Sequence, residues 1–283
     1  MEDLEQSLLS LLTSSLREDI GDSDITSAAI IPDDLELKGS IFAKEDGIIA
    51  GLDVLKKFFN HLYADVQLKF HCKDGARISK GQRIVDIQGP GRVLLATERL
   101  ILNIMQRMSG IATQTDRYID RVRGTNAIIL DTRKTVPGLR ILDKQAVRLG
   151  GGTNHRFGLF DSYLIKENHI EAAGSIDEAV RRVQEHNTKG RMVEVEVRSL
   201  SELKQALSLK VDRILLDNMS IEQMKSAVGM VAGKIPLEAS GNVTLETVRQ
   251  VAETGVDFIS VGSLTHSVRA LDLSFIIEKS ETE

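Results

Sequence analysis

The sequence predicts an α/β protein in two parts: an N-terminal α+β module, then a parallel sheet of strand–helix units that closure turns into a barrel. Three observations predict it. Six short apolar runs alternate with helical patterns at intervals of roughly 20 to 35 residues, the rhythm of a parallel sheet. The first hundred residues lack that alternation and carry a helix followed by strand-like runs punctuated by glycine. No glycine-rich dinucleotide fingerprint follows the first of the six runs, which makes an open doubly wound sheet the weaker choice; GGGT at 150–153 leads into Asn154-His155-Arg156 instead of opening a helix.

The opening MEDLEQSLLSLL reads as an amphipathic helix, because its acidic start and broken apolar pattern are not those of a secretory signal. LKGSIFAKEDGIIAGL and DVQLKFHCKDGARISKGQRIVDIQGPG follow as short strands with glycine turns. The end of that region has the rhythm of biotinyl and lipoyl carrier domains, but its turn offers Ser79-Lys80-Gly81 and no Met-Lys-Met-like hairpin, so it is read as scaffold. A long helical pattern from about Leu94 to Val122, interrupted at Ser109-Gly110, links the two regions. The domains are accordingly read as 1–107 and 108–283, with the C-terminal segment able to return to the first. The six runs beyond the helix are AIIL (127–130), YLI (163–165), MVEVEV (192–197), RILL (213–216), IPLEA (235–239) and DFISV (257–261). Disorder is expected only in the closing EKSETE.

At 283 residues, 42% hydrophobic and 27% charged, the chain has ample core for such a fold and the composition of a soluble globular protein. No apolar run reaches the length of a membrane span, and the single cysteine, Cys72, cannot form an internal disulfide; a reducing cytoplasm fits best. Cys72 lies in a strand-like stretch with no supporting constellation and is read as a core or edge residue, not a nucleophile. A net charge of -5 argues against general nucleic-acid binding. The distribution is more telling. Arg121 to Lys166 holds nine Lys/Arg against three Asp, a net +6, so the remainder carries -11. Such a segment suits a small, highly charged anion.

LDTRKTVPG, at 130–138, sharpens the point: a buried strand ends in two adjacent cations, which require solvent or an anion. Every other run also closes on polar chemistry. The sequence continues with Lys166-Glu167-Asn168-His169, then Glu196, Asp217-Asn218, Ser240-Gly241-Asn242, and Val261-Gly262-Ser263. In a barrel these ends share the face where active sites form. Any one of them is explained by strands ending where exposure begins, but six in succession are harder to dismiss. Arg133 and Arg156 offer planar forks for carboxylate or phosphate, and Lys134 and Lys166 are point charges. Glu196 and Asp217, one strand apart, suit Mg2+ or pairing with those lysines. Ser240–Asn242 and Val261–Ser263 each precede a helical pattern and read as a late-strand phosphate site. His155 and His169 both fit structural hydrogen bonding; His155 is preferred as a ligand contact because Arg156 adjoins it.

LATERLILNIMQRMSGIAT, ILDTRKTVPGLR, AVRLGGGTNHR, LIKENHI, VEVEV, LLDN, EASGNV and SVGSLTHS together resemble, in order, the quinolinate phosphoribosyltransferases (nicotinate-nucleotide diphosphorylase, carboxylating), a type II phosphoribosyltransferase family. The motifs cover about Glu98 to Ser267, and the pairing of Asp-Thr-Arg-Lys-Thr with Gly-Gly-Gly-x-Asn-His-Arg is highly specific. One departure is Glu167, where the family usually has Asp.

The resemblance implies an N-terminal α/β (α+β) sandwich-like domain followed by an incomplete TIM-like α/β barrel, in a homodimer or higher oligomer. It implies transfer of phosphoribose from 5-phosphoribosyl 1-diphosphate to quinolinate with decarboxylation, with Mg2+ on Glu196 and Asp217. Lys134, Lys166, Glu196 and Asp217 would be catalytic. Thr132, Arg133, Lys134, His155, Arg156, Lys166, Ser240, Gly241, Asn242, Val261, Gly262 and Ser263 would bind substrate. Arg99 would reach the site of a partner subunit. The rivals are a paralogue acting on another base such as nicotinate, a barrel aldolase with Lys166 as Schiff-base lysine, and a non-enzymatic carrier or scaffold module, which leaves everything after Glu98 unexplained. The paired acids Asp33-Asp34 lack the small-residue phosphate loop of type I phosphoribosyltransferases.

Overall fold

The computed structural model describes residues 2–278; of the stretch expected to be disordered, the part from Lys279 onward lies outside the described residues. The chain divides into two compact units, one of residues 1–114, 136–151 and 268–283, the other of 115–135 and 152–267.

In the first unit, helix α1 (Glu2–Ile20) buries Leu8, Leu12 and Leu16, whose four-residue spacing puts them on one face. Helix α2 (Ile25–Ile30) starts at Asp24, whose carboxylate accepts the N–H groups of Thr26 and Ser27. Strands β1 (Glu36–Ala43) and β2 (Gly47–Ile48), helix α3 (Leu52–Leu62), and strands β3 (Gln67–Phe70), β4 (Arg77–Ile78) and β5 (Arg83–Pro90) follow. An antiparallel sheet runs in the order C-terminal strand, β1, β5, β3. The C-terminal strand, Leu273–Ile277, thus returns to this unit, with Gly39 facing Ile277. The Ser79–Gln82 turn is scaffold: Gly81 N–H donates to Ala43 O at 2.7 Å. Cys72 is half-buried in this unit; burial and then nearby Asp74 push its thiol pKa up, away from nucleophilic use.

Helix α4 (Gly91–Val122) is a continuous 32-residue helix, so the interruption expected at Ser109-Gly110 is absent. Those two residues are small for another reason. A Cβ on Gly110 would lie 2.2 Å from Arg269 O, and Ser109 Oγ bonds both the N–H and the carbonyl of Ala50. They mark close backbone approach rather than a break.

The second unit carries the six predicted runs as strands β6 (Ile128–Leu130), β7 (Tyr163–Ile165), β8 (Val193–Val197), β9 (Arg213–Asp217), β10 (Leu237–Ser240) and β11 (Phe258–Ser260). All pairings are parallel, in the order β6-β11-β10-β9-β8-β7. That is the sequence order of a barrel opened between β6 and β7. Thr153 partly fills the opening beside β6: its N–H donates to Ile129 O and its carbonyl accepts from Asp131. Helix α5 (Arg140–Leu149) belongs to the first unit. The other crossovers are α6 (Glu167–Ala173), α7 (Ile176–His186), α8 (Leu200–Ala206), α9 (Ile221–Val231) and α10 (Val248–Ala252), with the one-turn α11 (Ser263–His266) after β11. Val193, Val195, Val197, Ile214, Leu216, Ala239 and Ile259 are fully buried, while the residues between them face the barrel interior.

Candidate active site

Alternation along the strands builds the site. Lys166, Glu196, Asp217, Ser240 and Gly262 end five neighbouring strands with the parity that turns inward, and together with Thr132, Arg133, Lys134, His155, Arg156, Asn242 and Ser263 they line a cavity of about 690 Å³. The lining also includes Glu238, Asn218, Thr244 and His266. Two of the residues expected to bind substrate lie elsewhere. Val261 is buried and spends its N–H on Leu130 O, so it holds β11 to β6. Arg99 belongs to the first unit, where its side chain is 62% exposed and its nearest carboxylate, Glu98, is 3.9 Å away.

Asp131, fully buried at the end of β6, organises the cationic side. Its carboxylate accepts the N–H of His155 at 2.8 Å and the amide of Asn154 at 2.6 Å, fixing the segment that carries Arg156. Arg156 in turn donates to Ser162 O at 3.1 Å. Burial and then the adjoining charge of Arg133 lower the pKa of Arg156, so two guanidinium groups are held close enough to oppose one another. An anion placed between them relieves that opposition. Lys134 crosses Gly262: a Cβ there would come within 3.1 Å of its Cδ. The Lys134 carbonyl accepts the hydroxyl of Thr265 at 2.9 Å, which pins the loop.

The carboxylates sit opposite. Glu196 lies 3.4 Å from Lys166 Nζ, and Asp217 3.6 Å from Arg198 Nε, so both take cationic partners. Their oxygens are hard donors on adjacent strands facing the cavity, a set that fits Mg2+ with room for water and phosphate oxygens. Glu167 has a defined role as well, forming an ion pair with Arg198. His169 Nδ1 accepts the N–H of Lys166 at 3.0 Å and caps α6, the structural part its sequence allowed.

His155 is deeper than expected. Its Nδ1 accepts the N–H of Arg156 at 2.7 Å and its Nε2 lies 3.1 Å from Glu194 and 3.5 Å from Glu238. Both ring nitrogens are thus engaged by the protein, and the imidazole borders the cavity with its remaining surface. Burial pulls its pKa down, but the hydrogen bond to Glu194 and the charges of Glu238 and Glu194 prevail and raise it.

The Ser240–Asn242 turn does not open a helix: α10 begins only at Val248. Its shape comes from left-handed backbone instead, with φ of 102° at Gly241 and 52° at Asn242, matched by 53° at Asn218. Asn242 donates to Asn218, which donates to Asp217, each at 3.1 Å. Gly262 is the N-cap of α11, and Ser263 Oγ lies 3.3 Å from the Tyr118 hydroxyl.

Sequence reasoning placed Asp131 and Asn218 at the strand ends without giving them a role, and missed Arg198, His266 and the buried Glu194, Arg213 and Glu238. VEVEV held a signal for Glu194, since it shares the inward parity of Glu196 two residues deeper. Glu238 in IPLEA held the same signal relative to Ser240.

Comparison with known proteins agrees with this geometry. Residues 24–109 match the N-terminal domain of quinolinate phosphoribosyl transferase and residues 111–276 its C-terminal domain. The nicotinate-nucleotide pyrophosphorylase [carboxylating] of Arabidopsis thaliana is 44% identical, the alignment covering 96% of this chain and 83% of that protein. A probable nicotinate-nucleotide pyrophosphorylase [carboxylating] of Bacillus subtilis is 42% identical over 96% of this chain and 94% of its own. The solved structure of the nicotinate-nucleotide pyrophosphorylase from Francisella tularensis superposes with a TM-score of 0.92 at 40% identity, covering 97% of each chain.

Proposed function

The chain belongs to the quinolinate phosphoribosyltransferase family and joins quinolinate to 5-phosphoribosyl 1-diphosphate, releasing CO2 and diphosphate to give nicotinate mononucleotide in NAD biosynthesis; we propose that the barrel-mouth cavity is where it does so. One observation carries the assignment of the site. Arg133, Lys134, Arg156 and Lys166 converge on a single cavity of about 690 Å³ that also presents Glu196 and Asp217. Two polyanionic substrates demand that concentration of positive charge in a protein whose net charge is -5.

In this reading Arg133 and Arg156 clamp the two quinolinate carboxylates and present the ring nitrogen to the anomeric carbon of the ribose. Lys134 and Lys166 stabilise charge on the departing diphosphate, and the Ser240–Asn242 and Gly262–Ser263 turns hold phosphate through small residues that admit close approach. The work is positioning and electrostatics, with no protein nucleophile. Glu196 and Asp217 would hold Mg2+, which when bound neutralises phosphate charge. Once the ring nitrogen is positively charged, CO2 leaves from the neighbouring carbon because that charge stabilises the electron pair left behind.

We also assign Arg99 to the site of a second subunit in a homodimer or larger oligomer, which accounts for an exposed arginine whose ion pair among the described residues is the 3.9 Å one with its neighbour Glu98. A cytoplasmic setting suits the lone, half-buried Cys72; no described helix is long and apolar enough to cross a membrane.

Incubating the protein with 5-phosphoribosyl 1-diphosphate, Mg2+ and either quinolinate or nicotinate tests the proposal. Nicotinate mononucleotide formed from quinolinate in clear preference to nicotinate is the expected outcome. Product from nicotinate alone would transfer the site to a paralogous activity.

A further inference from the structure

At the rim of the cavity the ends of β7, β8 and β9 carry two rows of charge. The inner row is Lys166 beside Glu196, 3.4 Å apart. The outer row joins three residues. Glu167, the first residue of α6, pairs with Arg198, which directly follows β8 and faces Asp217 at the end of β9, its Nε 3.6 Å from Asp217 Oδ2. Neither Glu167 nor Arg198 lines the cavity, and both side chains are about half-exposed. The Arg198 backbone is anchored, since its N–H donates to the Glu202 carboxylate at 2.7 Å, so the guanidinium moves from a fixed base at the start of α8.

The geometry separates orientation from charge. Asp217 is oriented by Asn218, whose amide donates to Oδ1 at 3.1 Å and whose own carbonyl oxygen accepts from Asn242. Arg198 contributes charge alone: its 3.6 Å contact is longer than the roughly 2.7–2.9 Å of a charge-assisted hydrogen bond, so it leaves the lone pairs of Oδ2 open. Its short contact is with Glu167 instead. The guanidinium pKa is raised, first by the hydrogen bond to Glu167 and, against desolvation, by the charges of Glu167, Asp217 and Glu196, so one cation lies in the field of both cavity carboxylates. A metal ion arriving between Glu196 and Asp217 meets that charge as a repulsion. A guanidinium released from Glu167 would be near enough to close on Oδ2 and occupy it.

Taking Glu196 and Asp217 as the Mg2+ ligands, we propose that Arg198 is a competing counter-cation of that site and that Glu167 sets its metal affinity by holding the guanidinium off Asp217. Loss of Arg198 therefore tightens metal binding. Loss of Glu167 lets Arg198 settle on Asp217 and weakens it. The two effects are coupled, because Glu167 acts through Arg198. Both are positioning residues, which touch neither the metal nor the reacting atoms. Exposed side chains make the pair, so its influence is a few-fold and shrinks with added salt.

Mn2+, a divalent ion suited to the same oxygen donors, is the probe: the electron paramagnetic resonance signal of the free ion is titrated with the whole chain, without substrates and at low ionic strength. Arg198→Met should lower the Mn2+ Kd by about two- to fivefold, and Glu167→Gln should raise it by about as much. Glu167→Asp, one methylene shorter, should shift it in the same direction as Glu167→Gln but by less. With Arg198→Met and Glu167→Gln combined, the Kd should stay near that of Arg198→Met alone, because the anchor has nothing left to hold. Weaker binding in Arg198→Met, or an equal loss from Glu167→Gln with and without Arg198, would overturn the proposal. Asp217→Asn separates it from the reading on which it rests: Mn2+ binding that survives this change, or that is absent from every protein tested, would remove the metal site and the proposal with it.

Discussion

Gly241 and Asn218 are packed so closely that a Cβ on the glycine would lie 2.2 Å from Asn218 Oδ1, and the glycine holds a φ of 102° that L residues avoid. Gly241→Ala therefore strains the backbone and displaces the side chain that links Asp217 to Asn242. The expected cost is about 2 kcal/mol of stability together with a raised KM for 5-phosphoribosyl 1-diphosphate. A urea titration and steady-state kinetics check both, and an unchanged KM would separate this turn from the phosphate site.

Arg133→Lys keeps the charge but replaces a planar fork with a point donor. KM for quinolinate should rise by about tenfold or more, the equivalent of losing a charged hydrogen bond. Unchanged affinity would remove Arg133 from the diacid clamp.

Glu196→Gln and Asp217→Asn should each raise the Mg2+ concentration for half-maximal activity by about tenfold, with quinolinate binding far less affected. Wild-type Mg2+ dependence in both would make these carboxylates ion-pair partners of Lys166 and Arg198 and nothing more.

Away from the cavity, Arg107 meets the fully buried Asp143 through two parallel hydrogen bonds of 2.8 Å. Burial raises the Asp143 pKa despite that partner. Arg107→Ala leaves the buried carboxyl without its charged partner and should cost about 3–5 kcal/mol. The folded variant then binds a proton that the unfolded chain releases, so its stability should fall as pH rises from about 4 toward neutrality. Thermal melts at several pH values check the sign, and a variant that gains stability with pH would contradict it.

Arg99→Ala and Arg133→Ala should each be inactive, yet regain roughly a quarter of wild-type activity when their subunits are exchanged, because half of randomly assorted dimers hold one intact site of two. No recovery after demonstrated exchange would return Arg99 to its own subunit.

What was legible in the chain was local. AIIL, YLI, MVEVEV, RILL, IPLEA and DFISV announced strands as short apolar runs alternating with helical patterns, and the polar residues ending them announced the face. The hidden parts depend on partners distant in sequence. Ser109-Gly110 looked like a helix break until Arg269 supplied the backbone it accommodates. The C-terminal strand joins β1 across more than two hundred residues, a pairing no local pattern encodes. Glu194, Arg213 and Glu238 read as ordinary polar alternation, since nothing local says that two carboxylates from separate strands meet His155 and that Arg213 from the strand between them pairs with both.

The most direct measurement of the whole account uses quinolinate carrying a carbon label in the carboxyl next to the ring nitrogen. With 5-phosphoribosyl 1-diphosphate and Mg2+, labelled CO2, diphosphate and nicotinate mononucleotide should appear in equal amounts, and none should form when the phosphoribosyl donor is omitted. Label retained in the nucleotide, or CO2 released without the donor, would contradict it.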